Sequence, residues 1–489
     1  MRIPLDRQDS VPLYEQVQDY LRRHIVSGQL APNTRLPATR KLAKELGVSR
    51  ITIQNAYANL ESEGLIANRE GSGAYVLPPV QMATAVTDSP SHQWPLWQQA
   101  LAATGSEQPA SSPTLPPHPD IISFTGVGDP RHFPVKDFQK SLQAVLRQEG
   151  SAVLEYGKLG AGYLPLRETV AHILASQGIQ TYPPNVLITT GSQQALALIC
   201  QVLLKPGDVI LVEKPTYNLA LNLFRVLGLE IVGVPVNEDG LIVEQLEPLL
   251  QRHHPRLLYT IPNFQNPSGV CLSGTRRRQL IALAERYNLP ILEDDFVGDL
   301  RYNGRSQPAI KALDPRGHVV YVGTFSKILM PGLRLGYVVA EGPLFDRLVQ
   351  LKQVTDLNTS PLIQQAVNDY VSVGRYQAHL RRSIRRYRQR RDAMLAALKQ
   401  YLPPEVAVVA PQGGLFIWLR LPAPLSAVAL RPLAAAAGVV YAPGSWFFPQ
   451  ADEGEAYLRL NFAVQTPDRI AEGVRRLGGV VWNEIASGK

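Results

Sequence analysis

Apolar residues recur at helical spacing early in the chain and give way to unbroken apolar runs later. In PLYEQVQDYLRRHIVSGQL, Leu13, Val17, Leu21 and Ile25 fall every four residues and predict one buried helix face, with Gly28 as the stop. LPATRKLAKELG predicts a second short helix with Leu42, Ala43 and Leu46 inward, ended by Gly47. VSRITIQNAYANLESEGL predicts a third, with Ser49 as N-cap and Ile53, Ala56, Tyr57 and Leu60 as its buried stripe. LIANREGSGAYV reads as two strands around a glycine turn. From about residue 121, NVLITTG, DVILVE, EIVGVPV, RLLYTIP, LPILEDD, VVYVGTF and RLGYVVA alternate with helical patterns. Buried strands alternating with helices predict a mainly parallel, helix-covered sheet.

Composition sharpens the division. The chain has 489 residues, 45% hydrophobic and 18% charged, which suits two or three domains with a large core. Residues 1–78 form the first domain, 121–489 the second, and 79–120, rich in Pro, Ser, Gln and Ala, a linker. Trp94 and Trp97 within that linker are candidates to dock on a neighbouring domain. The net charge of +8 permits nucleic-acid binding without showing it. Two cysteines, Cys200 and Cys271, provide neither a disulfide framework nor a zinc site and fit a reducing cytoplasm. No apolar leader opens the chain, and no run reaches the ~18 residues of a membrane span.

Two helices joined by GVS form a helix-turn-helix, and the following hairpin is a wing. Placement puts Arg50, Thr52 and Gln54 at the start of the recognition helix, where side chains meet base edges or phosphates in the major groove. Arg40 and the turn from Gly71 to Gly73 are placed for backbone phosphate. The plainer alternative is a small protein-interaction module with solvated arginines. Through PLYEQV, the helix-turn-helix stretch and GSGAYV, this segment resembles the GntR-type winged helix. The resemblance implies DNA contacts at Arg40, Ser49, Arg50, Thr52, Gln54, Gly71 and Gly73. Ala74 stands where that family often has threonine, which puts one phosphate contact in doubt.

The stretch GTFSKILMPGLRLGY carries the second chemistry. Lys327 follows a small hydroxyl residue and precedes Arg334, an arrangement able to hold a phosphorylated aldehyde as a Schiff base. Gly191, Ser192 and Gln193 open a helix after a strand, a natural phosphate site that Thr324 and Arg334 can complete. Asp294, at a strand end, suits a pyridinium nitrogen, Tyr217 a ring face and Asn266 a ring hydroxyl. Singly, each has a duller role as a solvated charge, a helix cap or a core residue. In this order, at strand carboxyl ends, packing alone does not explain them.

YGKLGAGYLPLRETVA, GSQQAL, EKPTY, PNFQNPSG, EDDF, TFSKILMPGLRLGY and YLRLNFA resemble the fold-type-I pyridoxal-phosphate aminotransferases over about residues 121–485. The resemblance implies a large mixed, mainly parallel sheet and a smaller α+β subdomain. It implies pyridoxal 5'-phosphate as cofactor, an aldimine at Lys327, Arg459 holding a ligand carboxylate and Tyr156 reaching a partner subunit's phosphate. The family's tyrosine after the aspartate is absent: Phe296 and Val297 stand there. Losing that hydroxyl alters the lysine adduct's pKa, whereas Asn266 is kept as in working enzymes.

The whole chain resembles the MocR/GabR group of bacterial transcription regulators. That resemblance implies a cytoplasmic head-to-tail homodimer binding double-stranded operator DNA and an amine or amino-acid effector, with no membrane and no metal. Two other readings stay open: an active aminotransferase with a DNA-binding appendage, and a sensor of pyridoxal phosphate itself. HLRRSIRRYRQRRDAML is either a structural, solvated helix or an auxiliary DNA contact.

Overall fold

The computed structural model describes residues 3–7, 9, 11–69, 72–78, 121–126 and 128–487. Gly71, the linker and its Trp94 and Trp97 lie outside the described residues. The chain divides into two compact units, Met1–Gly105 and Ser106–Lys489.

In the first unit, helices α1 (Leu13–Val26), α2 (Thr39–Leu46) and α3 (Arg50–Ser62) precede strands β1 (Ile66–Arg69) and β2 (Gly73–Val76). The expected stripes meet in one core: Val17, Leu21 and Ile25 of α1, Leu42 of α2, and Ile53, Ala56, Tyr57 and Leu60 of α3. Leu13 is only half-buried at the start of its helix. Gly47 ends α2 at φ 62°, a left-handed position where other residues are strained, and so lets the chain turn into α3. Ser49 caps α3, its hydroxyl accepting from the Thr52 N–H at 3.1 Å. Tyr57 donates to the Pro37 carbonyl at 2.8 Å and fixes α3 against the approach to α2. The hairpin is antiparallel, with Ile66 opposite Val76 and Arg69 opposite Gly73. Strand alternation turns Ala74 inward, 5% exposed.

The second unit contains α4 (Val135–Glu149), α5 (Leu164–Ser176), α6 (Ser192–Leu203), α7 (Asn218–Val226), α8 (Leu246–His253) and α9 (Gly274–Tyr287). They are followed by α10 (Gly342–Asp356), α11 (Pro361–Ser372), α12 (Arg375–Tyr401), α13 (Ala427–Ala436) and α14 (Pro467–Ala486). Its strands are β3 (Ile122–Ser123), β4 (Val186–Thr189), β5 (Val209–Lys214), β6 (Glu230–Asn237), β7 (Gly240–Leu241), β8 (Leu257–Thr260), β9 (Ile291–Asp295), β10 (Val319–Thr324) and β11 (Gly336–Val339). Then come β12 (Ala407–Val409), β13 (Phe416–Arg420), β14 (Val439–Val440), β15 (Ala442–Pro443) and β16 (Tyr457–Asn461).

All seven predicted strands lie in one eight-stranded sheet ordered β4-β11-β10-β9-β8-β5-β6-β7. The eighth, β7, is a short hairpin partner of β6. The sheet is mixed because β11 runs antiparallel to both β10 and β4. That reversal matters for the site. It brings the start of β11, just past Arg334, beside the carboxyl ends of β4 and β10, with Gly336 opposite both Thr189 and Thr324.

A smaller antiparallel sheet, β12-β13-β16-β15, forms the second layer. Strand β3 pairs with β14 and so anchors the first described residues of this unit. One hydrophobic core joins the large sheet to the smaller layer, running from Leu187 and Val212 to Ile417, Leu458 and Val474. The arginine-rich segment is the middle of α12, and it divides. Arg390 donates to Asp129 at 2.6 Å and Arg391 to the Pro411 carbonyl at 3.0 Å, both guanidinia buried. Arg381, Arg382, Arg385 and Arg388 face solvent. No helix among the described residues is long and apolar enough to cross a membrane.

Candidate functional site

The carboxyl ends of the large sheet open into a cavity of about 480 Å³. Ser192, Gln193, Tyr217, Asn266, Asp294, Lys327, Arg334 and Arg459 all line it, together with Gly126, Asn218, Leu219, Ile261, Phe296, Ser326 and Phe416. These residues come from widely separated places in the sequence: most follow the ends of strands of the large sheet, while Phe416 and Arg459 come from the smaller antiparallel sheet.

One end of the cavity is built for an anion. Helix α6 begins at Ser192 after Gly191, whose φ of 83° turns the chain so that the helix N-terminus faces inward. Arg334 lies against that turn, donating to the Thr190 carbonyl at 3.3 Å. A Cβ on Gly191 would stand 2.7 Å from the Arg334 Nη2, so only glycine lets the guanidinium approach. The Ser326 hydroxyl is buried without a hydrogen-bond partner. Thr324 differs from the expectation: its hydroxyl donates to the Leu335 carbonyl and accepts from the Ser326 N–H, and it lines a separate cavity of about 20 Å³. Ser326, noted in the sequence only as the hydroxyl residue before Lys327, lines the large cavity instead. The signal was present, since a hydroxyl residue stands on each side of Phe325.

The middle of the cavity holds Asp294 and Lys327. Asp294 accepts from the Tyr259 hydroxyl at 2.8 Å through Oδ2, while Oδ1 is buried and unpartnered. Burial pushes its pKa up to about 7, against the Tyr259 hydrogen bond and helped by Asp295. Such a carboxylate is stabilised by a cationic N–H donor. The Lys327 amine makes no hydrogen bond or ion pair among the described residues. Burial, then Arg459, pull its pKa down to about 8, with Asp294 opposing and Arg334 adding. A lysine so placed is a neutral nucleophile for more of the time near neutral pH.

At the far end, Arg459 projects from β16 and is 9% exposed. Its guanidinium lies over the Phe416 ring at 4.1 Å and the Phe447 ring at 4.7 Å. Nη1 donates to the Asn266 Oδ1 at 2.7 Å, and Nε is buried without a partner. Burial pulls its pKa down to about 9. Asn266, expected at a ring hydroxyl, is thus tied to Arg459 in this structure. Tyr156 does not line the cavity; it is 72% exposed, and its carbonyl accepts from Asn358 at 2.8 Å. Phe296 lines the wall and stacks near Phe416, while Val297 is buried, so neither supplies the absent phenol.

The residues fit pyridoxal phosphate. Three buried polar groups, Asp294 Oδ1, Ser326 Oγ and Arg459 Nε, lack partners among the described residues, and they belong to the three parts of one cavity. An acceptor for a ring N–H, an anion cup and an amine between them is the donor set that cofactor needs.

In the first unit, Arg40, Ser49, Arg50, Gln54 and Gly73 are exposed and Thr52 is half-buried. The Ser49 and Thr52 hydroxyls lie 2.8 Å apart and complete the cap of α3. Ile51, beside Arg50, is 67% exposed, an apolar side chain that the buried stripe leaves over.

Fold and site define a winged-helix module joined to an aminotransferase-type domain. Residues 13–76 match the bacterial regulatory protein gntR family, and residues 120–477 match aminotransferase class I and II. The chain is 39% identical over 373 residues to aromatic-amino-acid aminotransferase 1 of Thermococcus litoralis, covering 75% of this chain and 89% of that protein. It is 32% identical over 481 residues to the probable rhizopine catabolism regulatory protein MocR of Rhizobium meliloti, covering 97% and 94%. The crystal structure of LysN, the α-aminoadipate aminotransferase of Thermus thermophilus with N-(5'-phosphopyridoxyl)-L-leucine, superposes with a TM-score of 0.71 at 38% identity, covering 75% and 94%. The chain belongs to the MocR-type family of transcription regulators, in which a GntR winged helix precedes a class I and II aminotransferase domain. It is a transcription regulator with an aminotransferase-like domain, and pyridoxal 5'-phosphate is the cofactor implied by that domain.

Proposed function

We propose that the protein binds operator DNA through residues 1–78 and senses an amine, an amino acid or pyridoxal phosphate itself at Lys327. The observation carrying this reading is the set of buried, unpartnered groups around Lys327 on a chain that also bears a capped recognition helix. When bound, the cofactor supplies an aldehyde that condenses with amines and an electron-withdrawing ring. Ser192, Gln193, Ser326, Arg334 and the α6 N-terminus hold its phosphate, with Thr324 bracing the turn from behind. Asp294 accepts from the ring nitrogen, and Tyr217 lies against the ring. Lys327 presents its amine, and Arg459 with Asn266 orients a ligand carboxylate.

Tyr156, exposed and tethered through Asn358, is available to a partner subunit, which supports a head-to-tail homodimer. Arg50 and Gln54 enter the major groove, Ile51 meets thymine methyl groups, and Arg40 and the turn at Gly71 and Gly73 hold phosphates. Ser49 and Thr52 act chiefly by capping and positioning that helix. Residues 79–120 link this reader to the sensor at 121–489. A ligand alters DNA binding only by favouring one of two conformations.

The test is operator affinity with and without pyridoxal phosphate and a panel of amines and amino acids, in the native protein and in Lys327→Ala. A response to cofactor and effector that survives unchanged in Lys327→Ala refutes the reading. A response to pyridoxal phosphate with no amine present selects the cofactor as signal.

A second reading, surviving transamination, is favoured by Asn266 and by the likeness to a Thermococcus aminotransferase. Phe296 and Val297 at the place of a phenol argue against efficient turnover. Keto-acid production from amino acids decides between them.

A further inference from the structure

We infer that Tyr259 is a positioning residue for the cofactor ring. Its hydroxyl holds Asp294 by Oδ2, leaves Oδ1 to the ring nitrogen and keeps the proton they share on that nitrogen. This rests on the reading that Asp294 meets a pyridoxal-phosphate ring in the Lys327 cavity. Tyr259 itself does not line that cavity. It is wholly buried, so what meets its hydroxyl is settled within one chain, whatever a second subunit covers.

The sheet register makes the contact. Strands β8 and β9 run parallel, with Tyr259 opposite Leu292. Side chains alternate along a strand, so Asp294, two residues beyond Leu292, emerges on the same face as Tyr259. The phenol reaches forward along that face, and its hydroxyl donates to Asp294 Oδ2 at 2.8 Å. The Tyr259 ring packs edge-on against Phe224, with centroids 5.4 Å apart, which holds its direction. Burial, then Asp294, keeps the phenol protonated well above the usual tyrosine range, so it stays a donor. With Oδ2 engaged, Oδ1 is the acceptor left over, buried and without a partner among the described residues.

One proton lies between Asp294 and a ring nitrogen, and its place decides how strongly the ring withdraws electrons. Burial drives that proton toward Asp294 and Asp295 adds to the drive; the Tyr259 hydrogen bond and, after it, Lys327 oppose. Glu213 on β5 and Tyr217 just before α7 feel the same carboxylate. A hydrogen bond to the charged form favours that form, and here one phenol oxygen supplies it. Without that oxygen the carboxyl takes the proton and the ring nitrogen is left neutral.

The experiment is solid-state nitrogen-15 NMR of the full chain loaded with ring-labelled pyridoxal 5'-phosphate, with cofactor affinity read by fluorescence titration. The proteins are the native, Tyr259→Phe, Asp294→Asn and the double variant. Phenylalanine keeps the ring against Phe224 and removes only the oxygen, and thermal melts of the cofactor-free forms check the fold. The native signal is expected at the protonated position. Tyr259→Phe is expected to move it toward the neutral position and to weaken affinity about tenfold or more. In the Asp294→Asn background the same change is expected to do neither, because Tyr259 acts through that carboxylate. A signal unmoved in Tyr259→Phe, or an affinity loss of equal size in both backgrounds, overturns the inference. A Tyr259→Phe chain that no longer folds without cofactor gives the hydroxyl a structural role and overturns it as well. A native signal at the neutral position overturns the role of Asp294 and this inference together.

Discussion

Replacing Arg459 with leucine separates the carboxylate anchor from everything else in the cavity. The guanidinium is buried, its Nη1 is held by Asn266 at 2.7 Å, and Nε is free of protein partners, so one edge is open to a carboxylate. An exposed pair contributes at most about 1 kcal/mol. A desolvated, hydrogen-bonded pair loses roughly 2–5 kcal/mol when one partner is cut, or about 30-fold to several thousand-fold in affinity. The assay is calorimetry of leucine and of isopentylamine, the same molecule without its carboxylate, on native protein and on Arg459→Leu. The four values form a cycle that isolates the carboxylate–arginine term. Leucine is expected to lose its advantage over isopentylamine in the variant, while isopentylamine binding barely changes. Stability should move the other way. The cofactor-free protein buries a cation between two phenylalanine rings with no anionic partner among the described residues, so the leucine variant is expected to melt no lower than the native. A variant that still prefers leucine by the native ratio refutes the assignment of Arg459.

Gly191→Ala places a Cβ 2.7 Å from Arg334 at a φ of 83°, so it should weaken pyridoxal-phosphate affinity about tenfold or more, read by fluorescence titration. Unchanged affinity would mean that the cup is elsewhere. Burial raises Glu213, Glu293 and Asp294 to about 7 and Asp299 to about 6. Between the unfolded and folded pKa values the folded state holds protons that the unfolded chain has released. Stability of the cofactor-free protein is therefore expected to fall from about pH 4 to about pH 7 in thermal melts, and a rise across that window contradicts the burial argument. Arg50→Ala should weaken operator binding by about 1–3 kcal/mol in a mobility-shift titration, with little change for unrelated DNA. Ile51→Ala should abolish the affinity lost when operator thymines are replaced by uracil, and persistence of that sensitivity excludes the methyl contact.

The linear pattern determined most of the architecture. Fully buried strands cannot alternate, so seven continuous apolar runs announced seven strands of the large sheet. Three amphipathic stripes and two short-range signals, the Ser49 cap and the Gly47 stop, located the helix-turn-helix because caps act between residues close in sequence. The order of motifs placed eight of the expected ligand-facing residues on one cavity. What escaped the sequence depends on where side chains point and whom they meet. Thr324 and Ser326 flank the same phenylalanine, and only the turn after β10 decides that Ser326 faces the cavity while Thr324 bonds Leu335. That Ala74 turns inward is set by the hairpin register, not by the residue itself. The pairing of Arg459 with Asn266 spans 193 residues, and that of Arg390 with Asp129 spans 261. A sequence shows that an arginine exists; only the packing of distant segments determines whether its charge is left to solvent, neutralised in the core or held open for a ligand.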